Sequence, residues 1–552
     1  MKTKNFLPLL LVILITVPIS ISQLYAQVDE LWASRYNGTG NGQDEVSAMT
    51  VDPLGNVYVT GRSRGTGFNN NFDYLTIKYD PLGDTVWVRR YDGGGLTLPT
   101  DEAKDIAVDN LGFVYVTGFS VATDMTSDFL TIKYASNGDT VWIKRYSFSA
   151  GSNDDAYSLA IDENSNVFVT GRTNGDYLTI AYDASGIFQW SARYNGPGND
   201  QDIAKKIIYD SGSLYVTGLS RNTFNSSTSA DYATIKYNTD GDSAWVRRYN
   251  GPNDNYDEPT SIAGDSAGNV YVTGFSRNTT FASSADYLTI KYNTSGDSAW
   301  VRRYDGTANG QDEANDIAVD DSGNVYITGT STGTFADYAT IKYNSTGSQQ
   351  WIARYHGPFN MSNDYAHSIA ISGNGFIYVT GGSQISSLSH TDIATLKYNT
   401  SGEQQWLKSY NGTGNQGDVG YHIAIFDTDY IYVAGNSSGG VPGLDYITIK
   451  YEKVTGITGI SNNTPTKFHL YQNYPNPFNP STRIKFDLPQ AGNVKLRIFD
   501  LVGREIAVPV NSDLSAGSYE YEWNASSYAT GIYFYELQTE NHRETKKLVL
   551  SK

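Results

Sequence analysis

Eight tryptophans divide this chain into near-equal parts: Trp32, Trp87, Trp142, Trp190, Trp245, Trp300, Trp351 and Trp406, spaced 48 to 55 positions apart. Each interval runs in the same order through an acidic Gly/Asn-rich loop, an apolar stretch, a Tyr-Val-Thr-Gly-like segment and an Asp-Tyr-x-Thr-Ile-Lys-Tyr-like segment. A unit of this size made of short alternating segments cannot bury its apolar face alone. It must stack on its neighbours, which calls for a repetitive β array rather than one irregular core.

The first interval resolves into four strands. Residues 46–52 (VSAMTVD), 56–61 (NVYVTG), 73–79 (DYLTIKY) and 85–91 (TVWVRRY) alternate in polarity and are rich in β-branched and aromatic residues. The Pro/Gly/Asp connections at 52–56 and 80–84 suit tight antiparallel turns. Four such strands in about 50 residues make one propeller blade. The second strand recurs at Val57, Val114, Val167, Leu214, Val270, Val325, Ile377 and Ile431. No tryptophan strand follows Tyr451, so residues 31–36 are expected to supply the missing outer strand and close the ring without a free edge. The expected fold is all-β: an eight-bladed β-propeller of four-stranded antiparallel blades at 27–456, closed by the N-terminal strand, then a linker at 457–466 and a small Ig-like β-sandwich at 467–552.

The sequence Asp52-Pro-Leu-Gly-Asn-Val-Tyr-Val-Thr-Gly61, echoed at Asp321-Ser-Gly-Asn-Val-Tyr-Ile-Thr-Gly329, resembles the signature of bacterial β-propeller repeats, over about residues 31–451. Members of that group are commonly described as seven-bladed, and the count here departs from that. The resemblance implies a fold and no activity.

Residues 1–26 have the charged, apolar and small-residue order of a secretory signal peptide, with Lys2 and Lys4 ahead of an apolar run from Phe6 to Ile21. No other segment is apolar enough to cross a bilayer. There is no cysteine, which excludes disulfides, a thiol nucleophile and zinc–thiolate chemistry. The six histidines show no metal-ligand pair at helical spacing. Between the signal peptide and residue 465 there are 28 basic and 49 acidic residues, so nucleic acid is not an expected partner.

Three Gly-x-Ser-x-Gly matches, at Ser63, Ser331 and Ser437, end the recurring Thr-Gly strand and lack the strand-to-helix turn of a hydrolase nucleophile. Gly412-Thr-Gly-Asn-Gln-Gly417 has no helix after it to hold a phosphate. Neither motif nominates a catalytic residue, and no cofactor is expected.

One aspartate follows each tryptophan by 12 to 14 residues: Asp44, Asp101, Asp155, Asp202, Asp257, Asp312, Asp364 and Asp418. Carboxylates among Gly/Asn carbonyls suit calcium, and these eight are the candidate metal residues. The plainer reading is that each accepts backbone N–H bonds ahead of the first strand. A second series, Asp73 and its equivalents, faces Arg35, Arg90, Arg145, Arg193, Arg248, Arg303 and Arg354, with Ser409 as the eighth member. With Ile77 taken opposite Trp87, these are expected to be structural ion pairs. The aromatic residues are expected to pack blade on blade. From the glycine ending strand two to the aspartate starting strand three, the offset varies from 5 to 13 residues, while other connections barely vary. One face is therefore variable and acidic, where a binding surface is expected.

After residue 466 come Tyr474-Pro-Asn-Pro-Phe-Asn-Pro-Ser-Thr482, Ile498-Phe-Asp-Leu-Val-Gly-Arg504, Ala516-Gly-Ser-Tyr519, Gly531-Ile-Tyr533 and Lys546-Lys-Leu-Val-Leu550. These closely resemble the type A C-terminal sorting domain of the type IX secretion system. The resemblance marks Pro475, Asn476, Pro477, Gly503, Gly517, Tyr519, Gly531, Tyr533, Lys546 and Lys547 as the sorting signal. It implies the secretion machinery as a partner, removal of the domain, and a secreted or outer-surface location in a Gram-negative bacterium. The expected work is binding or display through the variable face, with a polysaccharide, surface polymer or protein as ligand. A polysaccharide-degrading lyase or glycosidase and a purely structural surface protein are the alternatives. A glycosidase needs two particular carboxylates, and repetition singles out none.

Overall fold

The computed structural model describes residues 28–552 except 66–70, 95–99, 122–123, 223–228, 253, 279–284, 308–309, 359–361, 386–389, 428–429, 440–442, 454–456, 462–464, 515 and 526–527. The expected signal peptide and its cleavage point lie outside the described residues. Two compact units divide at 454/455.

The first unit is built from one local rule applied repeatedly. At the turn after the first strand, Asp52 Oδ1 accepts the N–H groups of Leu54 and Asn56, each at 2.9 Å. Its Oδ2 accepts Asn56 Nδ2 at 2.7 Å and Tyr58 Oη at 2.9 Å. One carboxylate thus satisfies the whole turn, which is the physical content of Asp-x-x-Gly-Asn-x-Tyr. The backbone part recurs at Asp109, Asp162, Asp265 and Asp320. Across the next pair of strands, Thr60 and Thr76 share a buried hydroxyl hydrogen bond at 2.9 Å, repeated in six further sheets; in the last, Ala434 faces Thr448.

The result, among the described residues, is eight four-stranded antiparallel sheets and no helix. The first sheet consists of Asp44–Val51, Val57–Arg64, Phe72–Tyr79 and Thr85–Tyr91 in chain order. Six more follow the same plan. The last combines Asp418–Phe426, Tyr430–Ser438 and Leu444–Lys453 with Val28–Tyr36, Trp32 standing opposite Lys450. Each Trp-to-Trp repeat therefore gives its tryptophan strand to one sheet and three strands to the next. The register places Trp87 opposite Lys78 and Ile77 opposite Val88, one residue from the expected facing of Ile77 and Trp87, because the pairing shifts between Lys78 and Tyr79.

Successive sheets are joined by the tryptophans. Trp87 lies between Tyr58 of its own sheet and Tyr134 of the next, at centroid distances of 6.0 and 5.8 Å. Its Nε1 donates to Ser136 O, and seven of the eight tryptophans reach an equivalent hairpin carbonyl. Trp406 Nε1 is buried without a partner among the described residues. The eighth sheet has no such hairpin, because its outer strand comes from the other end of the chain. Glycine is required where these rings land: Gly83 has φ +90°, and a Cβ there would stand 2.6 Å from the Trp32 ring.

The last and first sheets meet in the same way. Trp32 packs between Tyr79 and Tyr432, each at 6.0 Å. Val46 N donates to Asn436 Oδ1 at 2.9 Å, Tyr432 Oη to Gly55 O at 3.1 Å and Lys450 Nζ to Pro81 O at 2.9 Å.

The second unit is a two-sheet sandwich. One sheet orders Ile457–Ser461, Gly517–Asn524, Ser481–Leu488 and His469–Leu470; the other orders Glu505–Leu514, Gly492–Phe499, Gly531–Thr539 and Arg543–Leu550. Inward residues including Leu470, Phe486, Leu496, Trp523, Tyr535 and Leu548 make its core. The stretch 457–466, expected to be a linker, begins with a strand paired to Gly517–Asn524. Its β-branched Ile457, Thr458 and Ile460 suit a strand, and the surrounding Gly and Asn mask the pattern.

Candidate functional site

The first strand of each sheet starts, the second ends, the third starts and the fourth ends on one face of the unit. On that face lie the loops of variable length and both aspartate series.

The first series is buried framework. Asp44 Oδ2 accepts Gly38 N at 2.6 Å, and the same bond to the residue six to eight earlier recurs at Asp101, Asp202, Asp257, Asp312, Asp364 and Asp418. All seven are fully buried. The third sheet corrects the expected register: Asp154, not Asp155, occupies this position, accepting Phe148 N at 2.7 Å and pairing opposite Thr173. Asp155 lies one residue on, in an ion pair with Arg172 at 2.6 Å. Two adjacent aspartates left the spacing from Trp142 ambiguous, and only the strand register separates them. Glycine six residues after tryptophan was a legible but unused signal: a Cβ on Gly38 would stand 2.6 Å from Asp44 Oδ1 and 2.4 Å from Ser63 Oγ.

The second oxygen of these carboxylates divides them. In Asp44, Asp312, Asp364 and Asp418 it accepts a backbone N–H from the end of the second strand at 3.1–3.2 Å. In Asp101, Asp154, Asp202 and Asp257 it is buried without a hydrogen-bond partner among the described residues. Burial raises the carboxyl pKa of Asp44, Asp101, Asp202, Asp312 and Asp418, and pushes Asp257 up to about 6.

The second series forms ion pairs. Arg90–Asp73, Arg35–Asp445, Arg145–Asp128, Arg248–Asp231, Arg303–Asp286 and Arg354–Asp337 stand at 2.5–3.0 Å, and Arg193 pairs with Asp176. Asp392 has no arginine, since Ser409 occupies that place.

Where sheets meet, a member of each series comes together with the residue five after tryptophan. Asp73, Asp92 and Asp101, then Asp286, Asp305 and Asp312, then Asp337, His356 and Asp364 each bring three ligand atoms within 4.8 Å of one another. Sequence spacing alone did not nominate Asp92, Asp305 or His356. In the first trio Asp73 Oδ1 and Asp101 Oδ1 are both buried and without a hydrogen-bond donor among the described residues, a setting that suits a hard divalent cation. In the third, His356 Nδ1 is instead within 3.0 Å of Asp337 Oδ1.

Near the innermost strands, His367 and His422 are held neutral by burial, at about 4 and about 3. Most of the large tyrosines are spent on packing, with Tyr58, Tyr74, Tyr115 and Tyr177 among the fully buried side chains.

In the second unit the pieces of the expected sorting signal converge. Asn476 Oδ1 accepts Val549 N at 2.9 Å, and its Nδ2 donates to Lys547 O at 3.2 Å. Phe478 N donates to Val549 O at 3.0 Å, so the loop carrying Pro475 and Pro477 is tied to the last strand, which bears Lys546 and Lys547. Tyr519 stacks on Phe486 at 5.5 Å, Tyr533 Oη donates to Ala529 O at 2.6 Å, and Gly531 pairs opposite Leu550. Gly517 pairs opposite Leu488, and Gly503 turns with φ +81°.

This is a repeat scaffold with an accessory β-sandwich. A family model described as Beta-propeller repeat matches residues 34–69, 141–177, 244–280, 300–336 and 350–388. One described as Secretion system C-terminal sorting domain matches residues 472–551. The chain therefore carries β-propeller repeats followed by a type IX secretion sorting domain, which directs it to the secretion machinery and to the cell exterior or outer surface. No curated protein matches the chain. Among solved structures, a Lactobacillus plantarum protein is 11% identical with a TM-score of 0.37, covering 74% of this chain and 99% of that one. A protein of unknown function from Dyadobacter fermentans is 8% identical at 0.36, covering 77% and 99%. The polysaccharide lyase Uly1 is 11% identical at 0.40, covering 79% and 95%. None of these likenesses bears on activity.

Proposed function

We propose that residues 28–453 form a closed eight-bladed propeller whose variable face binds or displays an extracellular ligand, delivered outside the cell by the C-terminal unit after entry through an N-terminal signal peptide. Closure is supported by the strand Val28–Tyr36 completing the last sheet and by the hydrogen bonds from that sheet to the first. The observation that carries the binding reading is the contrast between the two faces. One holds short turns packed under tryptophans, and the other holds the loops that differ in length from sheet to sheet. Among the described residues no pair of carboxylates there stands apart as a general acid and nucleophile, which supports binding over glycoside cleavage. A polysaccharide, surface polymer or protein is the ligand class. Calcium at Asp73, Asp92 and Asp101 would brace two neighbouring sheets.

Thermal unfolding of the exported chain with chelator, with calcium and with a panel of soluble polysaccharides tests the reading, since a ligand of the native state raises the midpoint. A saturable polysaccharide shift without turnover supports binding, and turnover replaces it with an enzyme. A calcium shift that Asp92→Asn abolishes places the ion in that trio. Deletion of 467–552 should hold the propeller in the periplasm, and undiminished secretion would refute the export assignment.

A further inference from the structure

Seven sheets show how this scaffold holds a guanidinium group. In the fifth, Arg303 Nη1 donates to Ser276 Oγ at 2.6 Å, and Nη2 donates to Ser276 O at 2.9 Å and Asp286 Oδ2 at 2.8 Å. Arg354 repeats this with Ser331 Oγ, Ser331 O and Asp337 at 2.6, 3.0 and 2.8 Å. Arg145 does so with Ser120 Oγ, Ser120 O and Asp128 at 2.9, 2.6 and 2.5 Å. In each, the serine ending the second strand pairs with the aspartate starting the third, and the arginine lies opposite the residue two beyond that aspartate.

The seventh sheet keeps every acceptor and lacks the donor. Ser383 pairs with Asp392 as Ser276 pairs with Asp286, and Ser409 stands opposite Ala394 as Arg303 stands opposite Leu288. Asp392 is 5% exposed; no hydrogen bond to its carboxylate is found among the described residues, and its oxygens keep some contact with solvent. Among the described residues, Ser383 Oγ has only a long contact with Tyr355 Oη at 3.4 Å. Ser409 is exposed, so the path taken elsewhere by the arginine side chain opens to solvent. A largely buried carboxylate without a protein donor is costly, and here its other influences are the repelling Asp418 and the attracting His390.

We propose that the slot formed by Asp392, Ser383 and Ser409 is a binding site for a guanidinium group, filled by an arginine side chain of a partner protein. The slot lies on the face assigned to binding, and the inference rests on that reading for its partner but not for its chemistry. Planar, forked donors match the acceptors that the sibling sites present, which a lysine ammonium cannot reproduce.

Titration calorimetry of the exported chain with N-acetyl-arginine amide tests the slot directly, independently of any ligand for the wider face. The wild type should show one saturable site. Ser409→Arg should fill the slot from within and abolish it, and the near-isosteric Asp392→Asn should weaken it about tenfold or more. Arg303→Ser opens a second slot and should raise the stoichiometry from one to two. No binding in the wild type, unchanged binding in a folded Ser409→Arg, or equal binding of the lysine compound would each overturn the proposal. Its failure would leave polysaccharide binding by the face untouched.

Discussion

Asp392 offers the sharpest test of how this scaffold treats charge. Its sheet lacks the arginine that neutralises the equivalent aspartate in seven others, and burial, reinforced by Asp418, raises its carboxyl pKa from 3.8 to about 6. Between those values the native state holds more proton than the unfolded chain, so this group makes stability fall as pH rises from about 4 to about 6. Holding the carboxyl proton up to about pH 6 rather than 3.8 sets a ceiling near 3 kcal/mol on the penalty at pH 7, and partial solvation brings the expected value to about 1–2 kcal/mol. Asp392→Asn removes the charge at nearly constant shape. It should leave stability unchanged at pH 4 and raise it by that amount at pH 7.5. Urea unfolding followed by tryptophan fluorescence reads mainly the propeller, which holds eight of the nine tryptophans. A gain of equal size at both pH values, or a loss at pH 7.5, would refute the reasoning.

The buried histidines act in the opposite direction. Their folded pKa values of about 4 and about 3 lie below the ordinary 6.5, so their contribution is lost as pH falls below about 6.5, and His422→Gln should flatten acid unfolding there. Gly83→Val should cost about 2 kcal/mol or more in the same urea assay, because φ +90° and the Trp32 ring both exclude a side chain. Removing residues 28–36 strips the strand paired to Leu444–Lys453 and should give a concentration-dependent, aggregating product in light scattering, whereas a stable monomer would contradict ring closure. Asn476→Ala breaks two bonds to the last strand and should lower the sandwich's stability by about 1–2 kcal/mol, measured by amide hydrogen exchange of the strands at 481–550.

The local grammar was open to reading from the chain alone. Repeat period, strand alternation and the Asp-x-x-Gly-Asn turn depend on residues a few positions apart, so they appear directly in sequence. The arginine–aspartate pairing was legible too, because in six of the seven pairs both partners lie in one hairpin and recur together. The candidate site was legible only as two series of acids. That Asp154 rather than Asp155 belongs to the first series depends on strand register, and that Asp92 joins Asp73 and Asp101 depends on two sheets meeting.

What the sequence by itself determined is the unit and its repetition, since hydrophobic alternation and turn chemistry are properties of short segments. Only the tertiary structure decided how units exchange strands, which carboxylates are left without donors, and that Trp406 alone among the eight has no hairpin carbonyl to meet. Those outcomes arise from contacts about 50 residues apart between successive sheets, and from Arg35 reaching Asp445 across 410 residues. No local pattern encodes such a distance; it follows from stacking the units.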